Sequence, residues 1–168
     1  LSISNIVLIE KLNLEFGSGL NILTGETGAG KSILLDALSL ALGARSDVGL
    51  IRHGCDTASV VAEFDVTPSA AAGILSEYDI DCAGGLILRR TLSQDGRGRA
   101  WINDTPVSVK TLKAVGDTLI EIHGQFENHS LLDVTTHLKS LDEYAKLNNP
   151  DFVSVLQNVK NAYSDLHN

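Results

Sequence analysis

LNILTGETGAGKSILLDALSLALG, residues 20–43, is the stretch that decides the fold. Its first five residues are mostly apolar and predict a buried strand over Leu20–Thr24. A glycine-rich loop follows at Gly25–Gly30, and Lys31–Leu42 has helical composition and periodicity up to a stop at Gly43. Strand, loop and helix in that order place backbone N–H groups and the positive end of a helix where an anion can be held. The chain is therefore predicted to be α/β.

Within this stretch, Gly25-Glu26-Thr27-Gly28-Ala29-Gly30-Lys31-Ser32 matches the phosphate-loop pattern G-x-x-x-x-G-K-[ST] in full. The glycines let the backbone curl around phosphate oxygens without obstruction by Cβ atoms. Lys31 brings a positive charge to the β- and γ-phosphates, and the Ser32 hydroxyl offers a ligand to Mg²⁺. Candidate nucleotide contacts run from Gly25 to Ile33, with Glu26, Thr27 and Ala29 at the variable positions. The plain alternative is a glycine-rich turn into a helix with an incidental lysine. Neither Thr27 nor Ser32 has a nearby histidine in sequence to activate it, so covalent catalysis is not supported.

Upstream, short strands are expected at about Leu1–Ile3 and Leu12–Phe16, with a turn at Gly17-Ser18-Gly19. Downstream, Ala58–Val66 reads as a strand and Ser69–Tyr78 as a helix. Leu86–Ser93 and Arg99–Ile102 read as strands joined by the hairpin-like loop Gln94–Gly98. Val107–Val115 reads as a helix, Thr118–His123 as a strand ending in Gly124-Gln125, and Thr136–Ala145 as a helix. Beyond Pro150, Phe152, Leu156, Val159, Tyr163 and Leu166 fall at the 4-3-4-3 spacing of a heptad seam, which a plain amphipathic helix also satisfies.

The chain has 168 residues, 43% of them hydrophobic, enough for one domain with a real core. A formal net charge of −8 argues against coating nucleic acid by overall attraction, though a local basic patch is compatible with it. Cys55 and Cys82 lack paired spacing, as in a reducing compartment, and no apolar run is long enough to span a membrane. A cytoplasmic location is expected. With Leu1 first and no methionine, and with Asn168 last inside a helical pattern, both ends read as cut.

A complete phosphate-loop hydrolase also needs an acidic residue at the end of an apolar strand. Glu63 and Glu121 are the nearest candidates, and neither follows a clean apolar run. There is no N-K-x-D element, and Gly84-Gly85 lacks the Leu-Ser of an ABC signature. The five histidines have no metal-ligand spacing, and His53 and Cys55 are too isolated to suggest zinc. The chain carries half of an ATPase site.

Five stretches, the first of them an extension of 20–43, together resemble one family: FGSGLNILTGETGAGKSILLDALSLALGAR (16–45), IRHG (51–54), RGRAWIND (97–104), IEIHGQFENHSLL (120–132) and LDEYA (141–145). They are similar to the N-terminal part of the RecN family of bacterial DNA-repair proteins, SMC-like members of the ABC ATPases. The resemblance implies an ABC-type head N-lobe over 1–148, with a mixed sheet and an antiparallel β-subdomain, followed by the root of a coiled coil over 149–168. It implies ATP and Mg²⁺ as cofactors, and Gln125 as the Q-loop residue that ligates Mg²⁺ and senses the γ-phosphate. Its implied partners are the chain's own C-terminal head lobe, a second head engaged through ATP, and DNA in the intact protein, at a nucleoid-associated location. Arg52 lies where SMC-like heads place an arginine near nucleotide or DNA.

Arg89, Arg90, Arg97 and Arg99 cluster on adjoining strand candidates, where shared orientation would meet DNA phosphates; ion pairing with carboxylates is the plainer alternative. Trp101 fits a core position better than a base-stacking one. Other readings remain in view: another SMC-like repair ATPase, a small-molecule kinase that would need a lid and an acidic acceptor site, and an interaction module whose nucleotide binding has decayed.

Overall fold

The computed structural model describes residues 1–25, 30–65, 69–82, 84–122, 141–142, 144–145, 149 and 152–166. Six strands, β1 (Ser2–Ile6), β2 (Ile9–Asn13), β3 (Thr57–Phe64), β4 (Leu86–Ser93), β5 (Gly98–Ile102) and β6 (Thr105–Val107), form one sheet in the order β2-β1-β3-β4-β5-β6. The helices are α1 (Lys31–Ala41), α2 (Ser69–Ser76), α3 (Val109–Leu119) and α4 (Phe152–Leu166), with a 3-10 turn at Val48–Leu50. The chain divides into two compact units, Leu1–Glu121 and Ile122–Asn168. In the second unit, α4 gives helical form to the heptad-spaced stretch, and Val153, Val155, Val159 and Tyr163 on it are exposed.

Every described strand pairing is antiparallel. The strand expected at Leu20–Thr24 does not form: these residues pair with no strand, and Leu20 and Ile22 are 87% and 73% exposed. An apolar run becomes a buried strand only where neighbours supply its ladder hydrogen bonds, and the six described strands pair among themselves instead. The amino-terminal pair also shifts, to Ser2–Ile6 and Ile9–Asn13, because Val7–Leu8 makes a two-residue hairpin turn there.

Alternation along β4 explains the core. Leu86, Leu88, Arg90 and Leu92 are buried, while Ile87 and Arg89 face outward. Opposite them, Ala58, Val60 and Ala62 of β3 supply small inward side chains, leaving room for Ala37, Leu40 and Ala41 of α1. Burying a side chain such as Leu40 or Leu88 stabilises the fold by about 1.5–3 kcal/mol.

The third helix covers the β5 end of the same face. Buried residues Thr111, Leu112, Val115 and Gly116 lie on one stripe of α3, and Ser108 caps its start by accepting from the Thr111 N–H at 3.0 Å. The helix continues through Thr118 and Leu119, the first residues of the expected strand, because this stripe continues to Leu119. Where α3 crosses the end of α1, a Cβ on Gly43 would lie 2.6 Å from the Lys113 backbone N, and one on Gly116 2.6 Å from the Leu42 carbonyl O. Only glycine permits that approach, and Gly43 also takes φ +90° to end α1.

Candidate nucleotide and nucleic-acid sites

Of the candidate phosphate loop, Gly25 and Gly30–Ser32 are described, and Lys31 and Ser32 open α1. Gly30 is the N-cap residue of α1 and adopts a left-handed conformation, φ 100°, that starts the helix without a side-chain cap. The first-turn amides therefore keep the anion-binding potential of an uncapped helix N-terminus. Lys31 Nζ donates to the Gly25 carbonyl, so the ammonium reaches back across the loop to its first residue. A Cβ added at Gly30 would meet nothing within 4 Å, and Ser32 is exposed at the first turn. Lysine, hydroxyl and unobstructed helix start fit a magnesium-bound polyphosphate. Glu26, Thr27, Gly28, Ala29 and Gln125 lie outside the described residues.

Arg52 is tied to the β1–β2 hairpin. Its N–H donates to the Asn5 carbonyl at 2.9 Å, its Nη1 to the Leu8 carbonyl at 3.4 Å, and its Nη2 lies 3.6 Å from Glu10. Both partners of that ion pair are partly or largely exposed, so it contributes little stability.

The four clustered arginines do not share a face. β4 and β5 pair as expected, but Arg89 and Arg90 are successive residues and so point to opposite sides. Arg89 stacks over the Trp101 ring, 4.4 Å from its centroid, on the outer face. Arg99 pairs in register with Thr91 on that same face. Arg97 sits in the hairpin loop, 3.5 Å from Asp95. Arg90 turns inward and is 3% exposed, with burial pushing its pKa down. Trp101 is half-buried on the outer face rather than in the core, because it lies opposite outward-facing Arg89. The outer face also holds a cleft of about 580 Å³ that includes Glu63, Asp81, Asp104 and Arg89, a charge mixture that sequence reading missed because its residues come from distant segments.

A family model described as an AAA domain matches residues 1–81. The DNA repair protein RecN of Xylella fastidiosa (strain Temecula1) is 41% identical over 147 residues, covering 87% of this chain and 26% of that protein. RecN of Halalkalibacterium halodurans is 38% identical over 165 residues, 97% of this chain and 29% of that protein. The chain thus spans between a quarter and a third of the length of these curated relatives. Among solved structures, the Smc head domain with an extended coiled coil bound to the C-terminal domain of ScpA, from Pyrococcus furiosus, matches with a TM-score of 0.64 at 19% identity. That match covers 99% of this chain and 46% of that one. A structure from work on ATP-driven dimerization and DNA-stimulated activation of SMC ATPases matches at TM-score 0.57 and 21% identity, over 70% of this chain and 75% of that one. The chain belongs with the RecN proteins in sequence and has the fold of an SMC-type ATPase head N-lobe.

Proposed function

We propose that this chain is the ATP- and magnesium-binding lobe of a RecN-type, SMC-like ATPase head acting in DNA double-strand break repair and recombination. The observation that carries this reading is the Lys31-Ser32 pair at the uncapped start of α1, in a chain whose sequence is RecN-like over 87% of its length. Lys31 would hold the β- and γ-phosphates and offset charge that develops on transfer. Ser32 and Gln125 would hold the magnesium ion, which when bound neutralises charge on the β- and γ-oxygens. Gly25–Ile33 would wrap the phosphates through backbone N–H groups.

Hydrolysis in this reading needs groups outside these 168 residues, since neither Glu63 nor Glu121 follows the clean apolar run that such an acidic residue usually ends. Those groups would come from the protein's own C-terminal head lobe and from a second head engaged through ATP. The exposed apolar residues Leu20, Ile22 and Leu23, directly before the loop, give that lobe a surface to cover. Residues 149–168 would be the root of a coiled coil, and DNA would meet Arg52 or the outer-face arginines. A cytoplasmic, nucleoid-associated protein fits this role, and among the described residues no helix is long and apolar enough to cross a membrane.

Turnover tests the half-site reading. The 168-residue chain should bind ATP without sustained hydrolysis, while the full-length protein hydrolyses it and loses that activity on Lys31→Ala. Robust turnover by the 168 residues alone would contradict it.

A further inference from the structure

Arg90 is a buried cation for which the described structure supplies no counter-charge. It stands on the inner face of β4, opposite Val60 of β3 and Ala100 of β5, at 3% exposure. Its Nε and Nη1 are closed off from solvent and have no hydrogen-bond partner. The ion pairs among the described residues engage Arg52, Arg97 and Lys113, not Arg90. A buried guanidinium in that condition is costly, and native structures usually pair it.

Its surroundings are shaped for it. A Cβ on Gly98 would fall 2.9 Å from both Nη atoms and 3.0 Å from Cζ. Nearly equal distances to Cζ and both Nη atoms describe a point obliquely above the Nη1–Nη2 edge. The guanidinium therefore packs its Nη end against Gly98, in the space a side chain there would take. One position along β4, on the same face, Leu92 pairs with Gly98. Leu92 also lines a cleft of about 510 Å³ between the β4–β5 hairpin and the segment after α1, where Arg45, Ser46 and Asp47 lie. An opening that carries one charge of each sign, Arg45 and Asp47, thus adjoins the rung on which Arg90 rests, and Arg90 is the buried cation there without a partner among the described residues.

We propose that Arg90 is the receptor for a carboxylate group, the tip of an acidic side chain inserted beside the β4–β5 hairpin. A planar, singly charged carboxylate matches a guanidinium edge and leaves a neutral pair. A phosphate of charge near −2 would leave net negative charge in the same enclosed place. This site is separate from the phosphate loop, and it stands or falls independently of nucleotide binding.

Acetate serves as the probe, titrated at neutral pH into the ¹⁵N-labelled 168-residue chain while the Arg90 Nε–H resonance is followed. Chloride at equal ionic strength and inorganic phosphate provide the comparison arms. A saturable downfield shift with acetate, absent with chloride and weaker with phosphate, is expected. A shift with phosphate but not acetate, or with neither, overturns the proposal; the latter outcome means that water alone satisfies the guanidinium. In acetate-free buffer, Arg90→Met should raise Tm by several degrees, because it removes an unpaired buried charge at similar length, and acetate should no longer stabilise the protein. A lower Tm for Arg90→Met in that buffer would mean that the cation is already paired, and would also overturn it.

Discussion

Arg89 and Arg90 are neighbours in the chain with opposite fates: one guanidinium lies 4.4 Å from the Trp101 ring centroid on the outer face, and the other is 3% exposed beneath the sheet. Strand alternation alone makes this separation. It divides a run of arginines that looks uniform in sequence into two outward charges, one loop charge and one interior charge.

That division predicts unequal effects on nucleic acid. If the outer face meets DNA in the full-length protein, Arg89→Ala and Arg99→Ala should each weaken binding across all sequences and lower the salt slope by about 1. Arg90→Met should leave that slope unchanged. Affinities measured by fluorescence anisotropy at several salt concentrations check this, and an equal loss for Arg90→Met would argue against a face-specific contact.

The crossing of α1 and α3 offers a stability test. Gly43→Ala combines a left-handed backbone position with overlap on the Lys113 backbone, and should destabilise the fold by about 2–5 kcal/mol. Gly54→Ala has a similar φ of +83° but open space, so only the conformational cost of about 1–2 kcal/mol applies. Urea denaturation of both variants separates the two contributions. Equal losses would mean that the close approach of the helices carries no weight.

Ser108 caps α3, and its Oγ also lies 2.8 Å from Thr111 Oγ1, which in turn lies 2.9 Å from the Tyr78 hydroxyl. This chain of hydroxyls ties the segment after α2 to the start of α3. Ser108→Ala should lower stability by about 1 kcal/mol, and Tyr78→Phe by a similar amount for one lost hydrogen bond. The double variant should lose less than the sum, because both act on Thr111. Strict additivity in denaturant unfolding would show that the hydroxyls act separately.

Much of this was legible from residue order. The eight-residue loop pattern located α1 and its end at Gly43, because glycine, lysine and helix periodicity are local signals. The β4–β5 hairpin was legible from two β-rich runs around Asp95-Gly96. Leu20–Thr24 misled because LNILT has a strand's composition, yet a strand also needs partners at a distance. Thr118–Leu119 misled because β-like residues continue the apolar stripe of α3. β6 escaped notice at three residues with Pro106 in the middle, held by the turn at Asn103, whose side chain accepts from the Ile87 N–H and donates to the Asp81 carbonyl. The burial of Arg90 depends on which face of the sheet the helices cover, which spacing does not encode.

Calorimetric titration of the 168-residue chain with ATP in the presence of Mg²⁺, run beside Lys31→Ala, tests the central claim most directly. The account predicts saturable ATP binding that Lys31→Ala weakens by at least roughly tenfold, a difference of about 1.4 kcal/mol. Equal ATP affinity in the two proteins would contradict it, since Lys31 would then be a bystander at the start of α1.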